Sequence, residues 1–219
     1  MLLPAADFRY IALDAPGSRQ SDRNEAAVFN AAMTSVSSVE LSQIVAAYDF
    51  SKFEQIVDVG GGQGALLHGI LSAYPNLRGV LIDLPSVVTG ASVLRSGAIA
   101  GRCEVVGGDF FQAVPEGADA YLMRVVIHDW NDEDALRILR NCRRAIRTHG
   151  KLLMIESVLK PPNESDLARF NDLTMLVVAP GGKERTEEEF GKLLREAGFS
   201  LTRVITATGL TSIFESQPV

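Results

Sequence analysis

The sequence predicts an α/β protein: a mostly parallel sheet with helical crossovers, ending in an antiparallel hairpin. Three observations predict it. From Gln55 to Val158, short apolar runs alternate with amphipathic segments, the pattern of strands feeding crossover helices. A glycine-rich turn, Gly60-Gly61-Gly62-Gln63-Gly64, stands between the first run and the helix after it, where the backbone must turn sharply. The last two runs, Leu201–Thr206 and Ser212–Gln217, adjoin across Thr208-Gly209 and read as a hairpin.

The elements follow in order. Met1 to Gln20 is irregular, with Pro4, Pro16 and Gly17 breaking any long element. Ser21 to Phe50 turns helical: Val28, Phe29, Met33 and Val36 recur at three- and four-residue steps, as do Leu41, Ile44, Val45 and Tyr48. Ser35 to Ser38 reads as the junction between them. The chain thus divides into residues 1–50, an irregular segment with a helical appendage, and 51–219, the ligand-binding α/β domain. Parallel strands are expected at Gln55–Val59, Arg78–Ile82, Cys103–Val106, Ala120–Val126 and Leu152–Val158. Helices are expected at Ala65–Tyr74, Ser86–Ala100, Asp132–Thr148 and Asp166–Val178. Thr186 with Glu189 forms a capping box opening a helix to Ala197, which Gly198 ends.

Composition narrows the function. A chain of 219 residues suits one domain, and 47% hydrophobic with 22% charged residues is ordinary for a soluble globular protein. A net charge of -6 argues against nucleic acid, which wants a basic face. The 2 cysteines, Cys103 and Cys142, make no metal-ligand spacing and read as reduced core thiols. No apolar run approaches a membrane span and the first residues lack a basic signal-peptide start, so a cytoplasmic protein is expected.

The turn Asp58-Val59-Gly60-Gly61-Gly62-Gln63-Gly64 is the strongest local signal. A helix N-terminus beyond such glycines favours an anionic group, a pyrophosphate in a nicotinamide enzyme or the methionyl carboxylate of S-adenosylmethionine. The glycines alone do not choose, because Gly60, Gly62 and Ala65 also satisfy the dinucleotide fingerprint. Acidic residues at successive strand ends add weight. Asp58 stands inside the turn, where it could take a ligand ammonium; Asp83 closes the second strand, where a carboxylate can accept ribose hydroxyls. Asp109 follows the third strand and could accept from an adenine amino group, with Phe110 against its face. One such aspartate alone would as readily cap a helix.

Together the segments Asp58–Gly64, Leu81–Val88, Gly107–Phe111, Arg124–Glu133 and Gly181–Phe190 resemble the class I methyltransferases. More narrowly, the chain resembles the O-methyltransferase family of plant caffeate and flavonoid enzymes, hydroxyindole O-methyltransferase and bacterial polyketide O-methyltransferases. The resemblance runs from about Ala26 to the C-terminus. It implies a Rossmann-like class I methyltransferase fold, a seven-stranded sheet with a C-terminal antiparallel hairpin, and S-adenosylmethionine as cofactor. It implies cofactor contacts from Gly60, Asp83 and Asp109, joined by Asp58, Gly62, Leu84, Gly108 and Phe110. A basic residue four before the family's histidine also binds cofactor; it is usually Lys in the plant enzymes and is Arg124 here.

His128, in Ile127-His128-Asp129-Trp130, lies just past the fourth strand, at the sheet edge where ligands sit. A phenol has a pKa of about 10, so phenolate is scarce at neutral pH, whereas imidazole titrates at about 6.5 and can take the proton during attack. The resemblance makes His128 the general base for methyl transfer to a hydroxyl of a small aromatic or polyketide-like acceptor. His68 and His149 read as structural. Glu156 and Glu184 match the family's glutamates that flank the histidine, one of them holding its second nitrogen. Of the two, the residues favour Glu156, because an unpartnered charge at a buried strand end is expensive. Lys183-Glu184-Arg185 reads equally as a solvated charged loop. Met33, Trp130, Asn171 and Met175 are the expected substrate contacts, with Phe170 and Asp172 nearby, although methionines at helical spacing are more often core.

Rival readings are a magnesium-dependent catechol enzyme, a nicotinamide dehydrogenase, a non-catalytic cofactor-binding partner subunit and a family member diverted to hydroxylation. The first needs a cluster of oxygen ligands at the reacting hydroxyl, and the fourth strand leads into His128 rather than an acidic pair, so no metal is expected. Family members carry an N-terminal helical dimerisation region of about a hundred residues, beyond the typical single domain. Only Met1 to Gln20 precedes the matching helices here, which leaves a natural short form, a fragment or part of a split enzyme open. The apolar faces of Ala26–Met33 and Leu41–Tyr48 can pack on the α/β core or on a second chain, and self-association as a homodimer or a separate partner subunit is expected.

Overall fold

A computed structural model describes residues 39–160, 168–169, 172, 181–209 and 211–219. A helix, α1, runs over residues 39–47. Then come β1 (Gln55–Val59), α2 (Ala65–Ala73), β2 (Arg78–Asp83), α3 (Pro85–Val88), β3 (Cys103–Gly107), β4 (Ala120–Arg124), α4 (Asp132–Ala145), β5 (Lys151–Ser157), α5 (Glu187–Glu196), β6 (Phe199–Thr206) and β7 (Thr211–Pro218).

The strands form one seven-stranded sheet in the order β3-β2-β1-β4-β5-β7-β6. Strands β1 to β5 are parallel, and β7 enters antiparallel between β5 and β6. The chain moves outward from β1 through β2 to β3, then returns to the other side of β1 with β4. The crevice between β1 and β4 is therefore the topological switch point, where an open α/β sheet binds ligands at its carboxyl edge.

Alternation along each strand builds two cores. Val57, Val59, Val80, Ile82, Tyr121, Met123, Leu152 and Met154 face α4 and α5, packing on Ile138, Leu139, Phe190 and Leu194. Their neighbours Ile56, Leu81, Leu122, Leu153 and Ile155 face Ile44 and Tyr48 of the α1 region and Leu67, Ile70 and Leu71 of α2. Because both faces are covered there, the central strands β1, β2, β4 and β5 are largely apolar rather than alternately polar. That makes Asp58 and Glu156, both fully buried on central strands, the exceptions that need explaining.

Helix ends obey local chemistry. Asn131 caps α4, its Oδ1 accepting from the Asp134 N–H at 2.9 Å, and Asp132, Glu133 and Asp134 fill the positive first turn. Thr186 and Glu189 form the expected capping box of α5. The long helix expected over Ser86–Ala100 is not there. The segment breaks into α3 and two short 3-10 turns, Ser92–Arg95 and Gly97–Ile99. Gly90 ends the first piece in a turn packed on the Gln63 side chain, and Gly97 takes φ +63°, so helix continuation fails at both. Helix α4 likewise stops at Ala145 rather than Thr148, because Ile146 is already extended. Both cysteines are free; Cys142 is buried in α4, whereas Cys103 is only half-buried on β3. The expected helices before residue 39 and the bulk of Asp166–Val178 lie outside the described residues.

Candidate active site

The turn after β1 is held by β2. The Gly60 N–H donates to the Ile82 carbonyl at 2.8 Å, and the Gly62 N–H to Asp83 Oδ2 at 2.7 Å. Asp83 Oδ1 accepts from the Leu84 N–H at 2.7 Å, so one carboxylate fixes both banks of the crevice. Each of its oxygens keeps a lone pair for a ligand hydroxyl. Gly62 has φ +62°, and no heavy atom lies within 4 Å of where its Cβ would stand among the described residues. Gly108 donates to the Asp83 carbonyl, bringing the β3 end beside the same crevice.

Asp58 lies beneath this turn. A Cβ on Gly61 would stand 2.4 Å from its Oδ2, and neither carboxylate oxygen has a hydrogen-bond partner among the described residues. Burial, aided by the Asp83 charge and opposed by Arg124, pushes its pKa up to about 7. Asp58 thus sits as a covered charge under the loop rather than on the crevice wall. Arg124, ending β4, pairs with Glu40 of α1, while its Nε is buried without a partner among the described residues. Asp109 caps its own turn: Oδ1 accepts from the Phe111 N–H at 2.9 Å and Oδ2 from the Gln112 side chain. Phe110 reaches Gly60, with Cε1 3.4 Å from where a Cβ there would stand, and packs with Phe111 and Trp130 in an aromatic cluster.

The glycine turn touches the histidine turn. A Cβ on Gly60 would stand 3.0 Å from Val126 Cγ2, and with φ +68° at this position the tight fit favours glycine. Just before, Val125 adopts φ 55°, a left-handed conformation that strains a β-branched residue by roughly 1–3 kcal/mol. Glu156 stabilises the two residues beyond it. Its Oε1 accepts from the N–H groups of Val126 at 3.0 Å and Ile127 at 2.8 Å, and burial holds its pKa above the usual carboxylate range.

His128 is buried, and its two ring nitrogens meet two different carboxylates. Nδ1 lies 3.1 Å from Glu184 Oε1, and Nε2 lies 3.2 Å from Asp129 Oδ1. Burial lowers the imidazole pKa, but the hydrogen bonds to Asp129 and Glu184, with the Glu156 charge behind them, raise it to about 10. The two carboxylates therefore favour the imidazolium over the neutral ring. Of the two glutamates, Glu184 reaches the ring, at Nδ1, and Glu156 shapes the backbone that presents it.

Several site residues escape sequence reasoning. Lys183-Glu184-Arg185 is not a solvated loop: Glu184 is 2% exposed and Arg185 0%. The Lys183 N–H donates to the His128 carbonyl at 2.9 Å, and the Glu184 N–H to Asp172 Oδ1 at 2.9 Å. The available signal was position. Arg185 immediately precedes the α5 N-cap Thr186. Trp130 is half-buried against Phe111, ring centroids 4.6 Å apart. Met33, Phe170, Asn171 and Met175 lie outside the described residues.

A family model described as the O-methyltransferase domain matches residues 13–200. The chain is similar to the phenazine O-methyltransferase PhzM of Lysobacter antibioticus, 44% identical over 194 residues that cover 88% of this chain and 56% of that protein. It is similar to the mitomycin biosynthesis 6-O-methyltransferase of Streptomyces lavendulae, 46% identical over 178 residues, 80% of this chain and 50% of that protein. Among solved structures, an O-methyltransferase from neocarzinostatin biosynthesis in complex with S-adenosylmethionine and 2-hydroxy-5-methyl naphthoic acid matches with a TM-score of 0.77 at 34% identity. That match covers 91% of this chain and 59% of the other. The chain spans about half the length of the curated relatives it matches.

Proposed function

The chain belongs to the O-methyltransferase domain family, and from that premise we propose that it transfers a methyl group from S-adenosylmethionine to a hydroxyl of a small aromatic or polyketide-like acceptor, with His128 taking the proton. The observation that carries the reading is the doubly held imidazole of His128 on the turn packed against Gly60. One histidine at the carboxyl edge of β4, next to a glycine crevice, brings a proton acceptor beside a ligand site.

The crevice residues fit the cofactor. Asp83 offers free lone pairs at the crevice rim for ribose hydroxyls, and the open space over Gly62 leaves room for close backbone approach. Phe110 and Asp109 stand at the end of β3 for an adenine, and a cationic ligand above the turn would favour ionisation of the buried Asp58 beneath it. Arg124 would meet an anionic group once released from Glu40. Bound S-adenosylmethionine supplies an electrophilic methyl on its sulfonium; this chain supplies position and proton removal.

The acceptor hydroxyl replaces Asp129 at Nε2 of His128. Nε2, having first given its own proton to solvent, would take the hydroxyl proton, while bound S-adenosylmethionine would supply the methyl carbon to the acceptor oxygen and leave as S-adenosylhomocysteine. Glu184 keeps Nδ1 protonated and so presents Nε2 as the acceptor. With Asp129 displaced, one of the carboxylates that raise the histidine pKa withdraws, and burial brings the imidazole back toward neutrality.

Product mass after incubation with S-adenosylmethionine and a panel of phenolic and polyketide acceptors tests the reading. A gain of one methyl group on a hydroxylated acceptor is expected. Bound S-adenosylhomocysteine with no methylated product across the panel would contradict it.

A further inference from the structure

We propose that Arg185 is a positioning residue for the reaction at His128, clamping together the two chain segments that supply His128 and Glu184. The inference rests on the reading of His128 as proton acceptor. Those two side chains come from segments far apart in sequence, the turn after β4 and the loop before α5, so their 3.1 Å contact depends on what joins the segments. Arg185 joins them. Its guanidinium is wholly buried. Nη1 donates to the Ile127 carbonyl at 3.0 Å and to the Lys183 carbonyl at 3.4 Å. Nη2 donates to the Trp130 carbonyl at 2.7 Å and, with Nε, to Asp132 Oδ1, at 2.8 and 3.1 Å.

The acceptors bracket the dyad in sequence: Ile127 precedes His128, Trp130 lies two residues beyond it, and Lys183 precedes Glu184. A buried cation is retained only where its donors are all used, and here Asp132 supplies the counter-charge. The planar fork matters more than the charge, because four acceptors in different directions must be met at once. A lysine, with a compact ammonium on a flexible stem, cannot meet them. A shift of about 1 Å in a supporting shell can lower turnover by about a hundredfold.

The test is Arg185→Lys, read first by proton NMR of the free protein. A downfield His128 Nδ1–H resonance, identified by its loss in His128→Gln, reports the bond to Glu184. The resonance is expected to broaden or vanish in Arg185→Lys while circular dichroism still shows a folded sheet. Turnover should fall about ten- to a hundredfold, with S-adenosylhomocysteine affinity unchanged. A folded Arg185→Lys protein with the wild-type resonance and turnover would overturn the proposal. If that variant does not fold, Asp132→Asn, which loosens the fork from an exposed partner, carries the same two readings with the same opposing outcomes. Should His128→Gln keep full turnover, the base assignment fails, and the resonance alone still decides whether Arg185 holds the dyad.

Discussion

Nε2 of His128 lies 3.2 Å from Oδ1 of Asp129, its immediate neighbour in sequence, while Nδ1 is occupied by Glu184. On the proposed reaction, Asp129 stands where the acceptor hydroxyl would come, and its carboxylate favours the charged histidine. The folded-state pKa of about 10 lies above the ordinary 6.5, so the stabilisation from this charge is full below about pH 6.5. It is lost as pH rises through about 10. Histidine NMR should show His128 holding its proton well into the alkaline range, and Asp129→Asn should bring the titration down toward the ordinary value. A wild-type His128 that titrates at its ordinary value would remove this account of the free site.

Glu156 acts on backbone. Replacing it by Ala leaves two buried N–H groups, of Val126 and Ile127, without an acceptor, each worth roughly 1–3 kcal/mol. Glu156→Gln keeps an acceptor oxygen and should lose much less. Urea unfolding of the two variants separates the cases; equal midpoints would mean that Glu156 does not hold the turn.

Replacing Asp58 should have the opposite effect on stability. Its folded pKa of about 7 exceeds the ordinary value of 3.8, so its contribution is full below that lower value and is lost as pH rises through about 7. Asp58→Asn removes the buried ionisation. The variant should melt above wild type at neutral pH and beyond, with the gap closing on acidification. A melting difference independent of pH would show that folding does not raise the Asp58 pKa.

Asp83 is the residue proposed to meet the ribose of the cofactor. Asp83→Ala removes an acceptor for ribose and the anchor of Gly62 and Leu84, and should weaken S-adenosylhomocysteine binding by about ten- to a hundredfold, the worth of hydrogen bonds to a charged group. Calorimetry reads this directly, and NAD should show no comparable binding. Unchanged affinity in the variant would place the ligand elsewhere.

Much of this architecture is legible in the residues. The five parallel strands and the terminal hairpin lie where apolar runs place them, because both faces of the sheet are buried and turn residues punctuate each strand. Periodicity misreads Ser86–Ala100 as one helix because it ignores what Gly90 and Gly97 do to a backbone. The placement of Asp83 at the end of β2 and of His128 just past β4 is legible from the strand pattern. The division of labour between Glu156 and Glu184 is not, because both are acidic residues near the histidine and only the path of the turn decides which reaches the ring. Arg185 is hidden for a related reason: a charged triplet in a glycine-rich loop looks solvated, and its burial depends on carbonyls from a segment more than fifty residues away.

The most direct test of the central claim compares turnover of wild type and His128→Gln with saturating S-adenosylmethionine and one methylated acceptor, with cofactor affinity measured on the same samples. The account predicts equal affinity for S-adenosylhomocysteine and a turnover lower by about 10²–10⁴-fold, the range for loss of a general base. Equal turnover by the two proteins at neutral pH would contradict it.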